Sequence, residues 1–575
     1  MLDKLGVARA LRELGALLQV QGENPFKVRA YEAAARSLEE SREELEALVR
    51  EGRLRSLPGV GEALEKKIGE LHATGHTPLL DRLRSELPPG VLELMRVPEL
   101  GPRKIARLRA ELGVDGLDAL EAACVAGRVR EVPGFGEKTE RKILEGLRRL
   151  RERPRRMLLP QAMALGERLL EHLRAGPGCR RADLAGSLRR RRETVGDLDL
   201  VAEADDPGAL LDHFLRWPAV AEVLGRGGSA LTARLASGEQ VDLRAAPAGE
   251  YATLLHHLTG SQAHHRKLRG LARERGFALS ERGLERLDGG GRLPVGSEEE
   301  LYAALGLAFV PPELREDAGE VEAARDRTLP RELVRLEDVR GLVHCHTRFS
   351  DGRATVEEMA RAADALGMEY LTITDHSPSA HYAGGVGLDR LRAQWDEIAR
   401  VQELVRVRLL RGTESDILED GALDYPDRIL ERLDVVVASV HSRFLQDEDQ
   451  MTRRLVRAMR LPFFKIWGHA LGRLLLEREP FACRVEEVLD AAAESGKAAV
   501  EVNGDPRRLE MQPAHLRLAR ARGLPVVLSV DAHSTAALGS LRWAVDTARR
   551  GWVTREAVLN ALPATEFARA VRPAG

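Results

Sequence analysis

The sequence predicts a multidomain chain with an α-helical N-terminal region, an α+β middle and a C-terminal (βα) barrel. Three observations carry that reading. From Leu2 to about Leu150 the apolar residues keep a helical period, with Ala, Leu, Glu and Arg abundant. Beyond Pro154, as far as Ala324, helical segments alternate with short strands. From Gly341 onward short apolar runs (Leu371–Thr374, Val435–Val440, Ala498–Val502, Pro525–Val530) alternate with helical segments, which is the rhythm of a βα barrel. A chain of 575 residues is also too long for one core.

Within the helical region three similar turns recur: Leu57-Pro58-Gly59-Val60-Gly61, Val97-Pro98-Glu99-Leu100-Gly101 and Val132-Pro133-Gly134-Phe135-Gly136. Each precedes a basic helix, with Lys66-Lys67, Arg103-Lys104 and Lys138 to Lys142 respectively. A Gly-x-Gly turn that opens into a helix N-terminus offers backbone N–H groups and a positive dipole end to one phosphate. One copy would be an ordinary turn. Three with the same flanks read as helix-hairpin-helix clamps on a DNA backbone, through Gly59, Gly61, Gly101, Gly134 and Gly136. Glu99 replaces the first glycine of the middle copy, and a carboxylate there weakens phosphate binding.

The middle of the chain carries Gly186-Ser187-Leu188-Arg189-Arg190, followed by Gly196-Asp197-Leu198-Asp199-Leu200. A Gly-Ser turn before a basic cluster can hold a triphosphate through N–H groups, a hydroxyl and Arg190. Asp197 and Asp199, two residues apart in an apolar run, point to the same face of a strand. Val241-Asp242-Leu243 can add a third carboxylate. Together they are the minimal equipment for two-metal phosphoryl transfer, with ions about 3.5–4 Å apart.

Formal net charge is −2, so nothing global points to nucleic acid. Local charge does: Arg148 to Arg156 is arginine-rich, and Arg189 to Arg192 are four successive arginines. Such runs are solvated faces or phosphate footprints, and both readings stand. Cys124, Cys179, Cys345 and Cys483 show no paired spacing, so neither a disulfide framework nor a Cys-zinc site is implied. No apolar run reaches membrane-spanning length and the start is amphipathic and charged, which predicts a cytoplasmic protein.

The C-terminal third holds a second constellation: His344-Cys345-His346, Asp351, Asp375-His376, Glu414, His441, His469 and Asp531-Ala532-His533. Imidazole and carboxylate suit Zn²⁺, Mn²⁺ or Fe²⁺, and nearly all of these lie at the C-terminal ends of apolar strands, where βα-barrel sites are built. Arg443, Arg473 and Lys465 are either phosphate partners or surface salt bridges. His381, in a glycine-rich loop, is a candidate cap. Cys345 alternates away from its two histidine neighbours.

Residues 1 to 317 resemble family X DNA polymerases, the DNA polymerase β relatives. The resemblance implies that Asp197, Asp199 and Asp242 bind Mg²⁺ or Mn²⁺, that Asp242 accepts the primer 3′-hydroxyl proton, and that Gly186, Ser187, Arg190 and Gly196 hold the dNTP. Thr259-Gly260-Ser261 resembles the segment against sugar and base. His265 stands where an asparagine touches the incoming base, His257-Leu258 replaces an aromatic pair, and Arg191 stands where a glycine often ends the turn. Asn24-Pro25-Phe26-Lys27 with Tyr31 resembles a 5′-phosphate pocket. Lys67 falls on a Schiff-base lysine position, although a plain solvated lysine is an equal reading and Ala63 replaces a phosphate-gripping lysine.

The histidine and carboxylate order resembles the polymerase and histidinol phosphatase (PHP) domain. It implies a site of three ions, Zn²⁺ or Mn²⁺, held by His344, His346, Asp351, His376, Glu414, His441, His469, Asp531 and His533. The expected domains are residues 1–90 (lyase-like), 91–155 (helix-hairpin-helix, fingers-like), 156–255 (α+β nucleotidyltransferase palm), 256–317 (thumb-like), 318–339 (linker) and 340–575 (distorted βα barrel of PHP type). The implied function is gap filling on gapped or nicked DNA with a 5′-phosphate by a monomer. Metal-dependent 3′-5′ exonuclease action and abasic-site incision would accompany it. A phosphatase of small monoesters and a non-catalytic repair scaffold are the alternatives.

Overall fold

The computed structural model describes residues 4–40, 45–74, 77–87, 89–95, 97, 100–152 and 156–573. The chain divides into two compact units, Met1–Pro154 and Arg155–Gly575.

The first unit is helical throughout its described residues. Helix Lys4–Val20 packs against Pro25–Glu40 because Val7, Leu11, Leu14 and Leu18 recur at helical spacing and are buried together. The first and third hairpin turns need glycine, since Gly59 and Gly134 adopt φ of 79° and 87°. Gly61, Gly101 and Gly136 stand immediately before helices Glu62–Thr74, Pro102–Leu112 and Glu137–Glu152. Pro98 and Glu99 of the middle turn lie outside the described residues, as do residues 153–155 of the arginine run.

The second unit begins with a five-stranded sheet in the order Cys179–Leu184, Asp197–Ala204, Gln240–Ala246, Ala230–Leu235, Val220–Arg226. Its central pair is parallel, with Asp199 opposite Asp242, and the other pairings are antiparallel. Helices Leu159–Arg174 and Pro207–Phe214 contribute to the core of this sheet through Leu169, Leu173, Leu211 and Phe214. Helices Tyr251–Thr259 and Gln262–Glu274 then lead into a small antiparallel sheet of Phe277–Ser280, Gly283–Arg286 and Arg292–Leu293.

The segment expected as a linker, 318–339, contains helix Glu320–Asp326. Buried Glu320 meets buried His264 Nδ1 at 2.6 Å. Part of the charge of this expected linker is therefore an internal hydrogen-bond partner.

Seven parallel strands close the barrel: Gly341–Cys345, Tyr370–Ile373, Arg408–Asp416, Val435–Ser439, Ile466–Trp467, Ala499–Asn503 and Val526–Ala532. Leu509 and Trp543 of this region pack into the core of the five-stranded sheet, and Trp552 into that of the small sheet. No helix among the described residues is long and apolar enough to cross a membrane.

Candidate functional site

Asp197 and Asp199 lie on one strand face, and the parallel neighbour brings Asp242 alongside, so that ligand atoms of all three fall within 4.8 Å of one another. Burial, then the charges of Asp197 and Asp242, pushes Asp199 up to about 7. Crowded carboxylates of this kind are what divalent cations relieve. Asp242 is oriented by Thr232 Oγ1, which donates at 2.5 Å, and by Gln240 Nε2 at 2.7 Å.

Gly186 and Ser187 open the short helix Gly186–Arg189 directly above this cluster. Gly186 has φ of 56°, and a Cβ there would collide with the Asp199 carboxylate. Gly196 forms the step between strands Thr194–Val195 and Asp197–Ala204. Arg191 has φ of 58°, which explains why glycine suits that position.

Arg190 donates through Nη1 to the Thr259 carbonyl and meets Glu316 through Nε at 3.0 Å. A Cβ on Gly260 would come 3.3 Å from Arg190 Nη1, so this turn and Arg190 are one assembly. Ser261 caps helix Gln262–Glu274 by accepting from His264 N. His265 is buried 3.1 Å from His257 Nδ1, and burial holds its imidazole down at about 4.

In the first unit Asn24 Oδ1 accepts from Phe26 N at 2.9 Å, and Lys27 pairs with Glu23 at 2.7 Å. Tyr31 is only 4% exposed and packs in the apolar core, beneath the surface rather than on it. Lys67 Nζ donates to the Ala63 carbonyl at 3.2 Å.

The barrel brings all nine of its expected ligands together at the C-terminal ends of its strands. Ligand atoms cluster within 4.8 Å in four overlapping groups: His346, Asp351, His376 and His533; His344, His469 and Asp531; His344, His346 and Glu414; and His376, Glu414 and His441. Glu414 is the hub, 2.6 Å from His469 Nε2, 3.0 Å from His376 Nδ1, 3.1 Å from His441 Nε2 and 3.3 Å from His344 Nε2.

His344 Nε2, both ring nitrogens of His346, His376 Nδ1, Glu414 Oε2 and His469 Nδ1 are buried and make no aligned hydrogen bond, although His376 Nδ1 and His344 Nε2 stand close to Glu414 Oε2. Orphaned polar atoms converging in one place are rare in proteins and fit a set of cations. Burial, then the charge of His533 and His376, pushes His346 down to about 3 and keeps it neutral. Burial also lowers His441 and His533, but facing carboxylates outweigh it and raise both to about 9, an excess of negative charge that a cation would relieve. His344 and Asp531 are held at positive φ, a strain typical of functional positions.

Several participants escaped the sequence reading. Glu501 Oε1 lies 2.5 Å from His344 Nδ1, and Asp416 bonds His441 Nδ1. These are carboxylates that orient ligating imidazoles. Asp416 was visible in principle, two residues beyond Glu414 on the same strand face. Arg508 meets Asp531 through Nε at 3.2 Å, and its Nη1 is buried without a partner.

The other expected phosphate partners lie elsewhere. Arg473 donates to the carbonyls of Arg508 and Leu509 and faces Glu193 of the five-stranded region. Lys465 precedes strand Ile466–Trp467, at the opposite end of the barrel. Arg443 is exposed and meets Glu419 at 3.4 Å. Asp375 is satisfied by Thr347, Ser350 and Gln394. Cys345 packs in the apolar core, as its alternation predicts.

The fold and its two acidic centres define a class: a nucleic-acid enzyme with one nucleotidyl-transfer centre and one phosphoesterase centre. Residues 254–316 match the family described as DNA polymerase beta thumb, and residues 343–503 the PHP domain. Residues 4–77 match the helix-hairpin-helix domain, and residues 91–149 the SAM-like helix-hairpin-helix tandem. The chain is 36% identical over 563 residues to the DNA polymerase/3′-5′ exonuclease PolX of Bacillus subtilis, covering 97% of this chain and 98% of that one. Probable phosphatases of Thermoanaerobacter sp. and Caldanaerobacter subterraneus are 29% and 30% identical over 230 residues, 38% of this chain and 88% and 85% of theirs. The chain belongs to the family X DNA polymerases that carry a PHP domain.

Proposed function

We propose that this protein fills short gaps in damaged DNA, using dNTPs at Asp197, Asp199 and Asp242, and trims 3′ ends at its barrel centre. The observation that carries the reading is the pair of convergent clusters in unit Arg155–Gly575: three carboxylates beneath a glycine-opened phosphate turn, and a buried set of imidazoles and carboxylates with orphaned donor atoms.

Divalent cations, Mg²⁺ or Mn²⁺ at the first centre and Zn²⁺ or Mn²⁺ at the second, supply Lewis acidity and an acidified water when bound. At the first centre Gly186, Ser187 and Arg190 hold the triphosphate, with Gly196 setting the step to the carboxylates. Arg190 is positioned meanwhile by Thr259 and Glu316. Asp242, its orientation fixed by Thr232 and Gln240, takes the primer hydroxyl proton. Thr259, Gly260, Ser261 and His265 border sugar and base. At the second centre the nine histidines and carboxylates would hold the ions, and Glu501 and Asp416 orient His344 and His441 through their Nδ1 atoms.

Gly59, Gly61, Gly101, Gly134 and Gly136 grip the DNA backbone, and Lys27 meets the 5′-phosphate, while Tyr31, packed in the core, supports that turn from beneath. Lys67 acts as a 5′-deoxyribose-phosphate lyase nucleophile, and the barrel also incises abasic sites. The domains follow the divisions expected from sequence, and the protein works as a cytoplasmic monomer.

A one-nucleotide gap with a downstream 5′-phosphate tests the first half. Single-nucleotide addition faster than on an open template is expected, and equal rates on both overturn the gap-filling reading. A second reading, hydrolysis of small phosphate monoesters, is favoured by the similarity of the barrel to the probable phosphatases. Faster turnover of p-nitrophenyl phosphate than of 3′ termini would establish it.

A further inference from the structure

Among the described residues only two aromatic side chains are exposed, Phe26 at 74% and Tyr382 at 69%. Phe26 belongs to the turn read above as a 5′-phosphate pocket. Tyr382 has no part in anything derived so far. It sits in the short turn His381–Ala383, and its ring lies 6.0 Å from the ring of His376 and 6.0 Å from that of His441. The sequence offers its neighbour His381 as a candidate cap, and the structure sets the Tyr382 ring beside two of the site's imidazoles.

The turn is held firmly. Ser379 Oγ donates to Asp424 Oδ1 at 2.6 Å, Gly385 N to the Ala380 carbonyl at 3.1 Å, and Val386 N to the His376 carbonyl at 2.8 Å. Ala383 is 3% exposed and anchors the turn in the protein. An exposed ring on so fixed a support is a surface prepared for contact rather than a loose side chain. Arg508 gives the second observation. Its Nη1 is a buried donor with no partner, and its Nε meets Asp531 at 3.2 Å, in the same cluster as His376 and His441.

We propose that Tyr382 is the nucleobase platform of the barrel centre, on which the base of the 3′-terminal nucleotide stacks while Arg508 Nη1 donates to a non-bridging oxygen of the phosphate to be cut. The inference rests on the 3′-trimming reading and names what that site selects. Every base has a π-face, so stacking on Tyr382 tolerates sequence and speeds removal of an end that keeps its base relative to one that has lost it. Arg508 donates to the phosphate that all such substrates share.

The test compares removal of a normal 3′-terminal nucleotide with removal of a 3′-terminal abasic residue from the same duplex. Wild type is expected to favour the normal end roughly tenfold, within the range of base–aromatic stacking. Tyr382→Ala abolishes that preference by slowing only the normal end, and Tyr382→Phe retains it. Arg508→Lys slows both ends by the same factor.

A readout independent of turnover uses single-stranded DNA ending in 3′ 2-aminopurine, with chelator present. Its fluorescence is quenched more by wild type and Tyr382→Phe than by Tyr382→Ala. An unchanged end preference in Tyr382→Ala, or equal quenching by all three proteins, overturns the platform. If wild type removes neither end, the trimming reading falls and takes the platform with it.

Discussion

Asp199 is the residue on which the synthetic centre turns. Its carboxylate is crowded by Asp197 and Asp242 and roofed by Gly186, with no room for a methyl group between them. Gly186→Ala is therefore expected to reduce primer extension to below about 1% of wild type while 3′ trimming persists, because it displaces one of the three carboxylates proposed to hold the ions. Extension and trimming time courses on the same labelled primer check this. The carboxylate pair was legible in the sequence because a strand has a strict two-residue period. Glu501 was not, because only barrel closure brings it to His344. Arg508 was not, because its role depends on a buried Nη1 that no spacing reveals.

At the scale of elements, Glu193 joins the five-stranded region to the barrel. It lies 2.8 Å from Arg550 Nη1 and 3.7 Å from Arg473 Nη2. Burial pushes its carboxyl up, but Arg550 and Arg473 outweigh that and hold it at about 2. A depressed carboxyl stabilises the fold above its ordinary value of 4.5, and the contribution fades as pH falls from there towards 2. Glu193→Gln is expected to cost about 3 kcal/mol near neutrality, since it leaves the buried Arg550 guanidinium without its carboxylate and weakens the field on Arg473. In urea titrations the gap from wild type should be flat at neutral pH and narrow below pH 4.5.

Four of the seven barrel strands were readable as apolar runs, and the first and third hairpin turns as glycine pairs before basic helices. Gly341–Cys345, Arg408–Asp416 and Ile466–Trp467 carry charged residues or too few apolar ones to read that way. Helix Glu320–Asp326 was hidden in a charged segment, because its anchor is a long-range pairing of Glu320 with His264.

At the scale of the whole molecule, one chain carries two chemistries that oppose each other on a primer end. The barrel holds buried imidazoles and carboxylates whose orphaned atoms fit cations, so its stability is linked to them. Chelation is expected to lower the barrel's melting transition, by an amount equivalent to about 3 kcal/mol if the free metal stood near a hundred times its Kd. Calorimetry before and after dialysis against chelator measures it, and an unchanged transition argues against resident ions.

The central claim is that synthesis and trimming belong to separate centres. The direct measurement follows a 5′-labelled primer on one-nucleotide gapped DNA, with and without dNTPs, in wild type, Asp197→Ala and His344→Ala. The account predicts that extension vanishes only in Asp197→Ala and 3′ shortening only in His344→Ala. Loss of both activities in either folded variant would contradict separate centres, and absence of both in wild type would contradict DNA as the substrate.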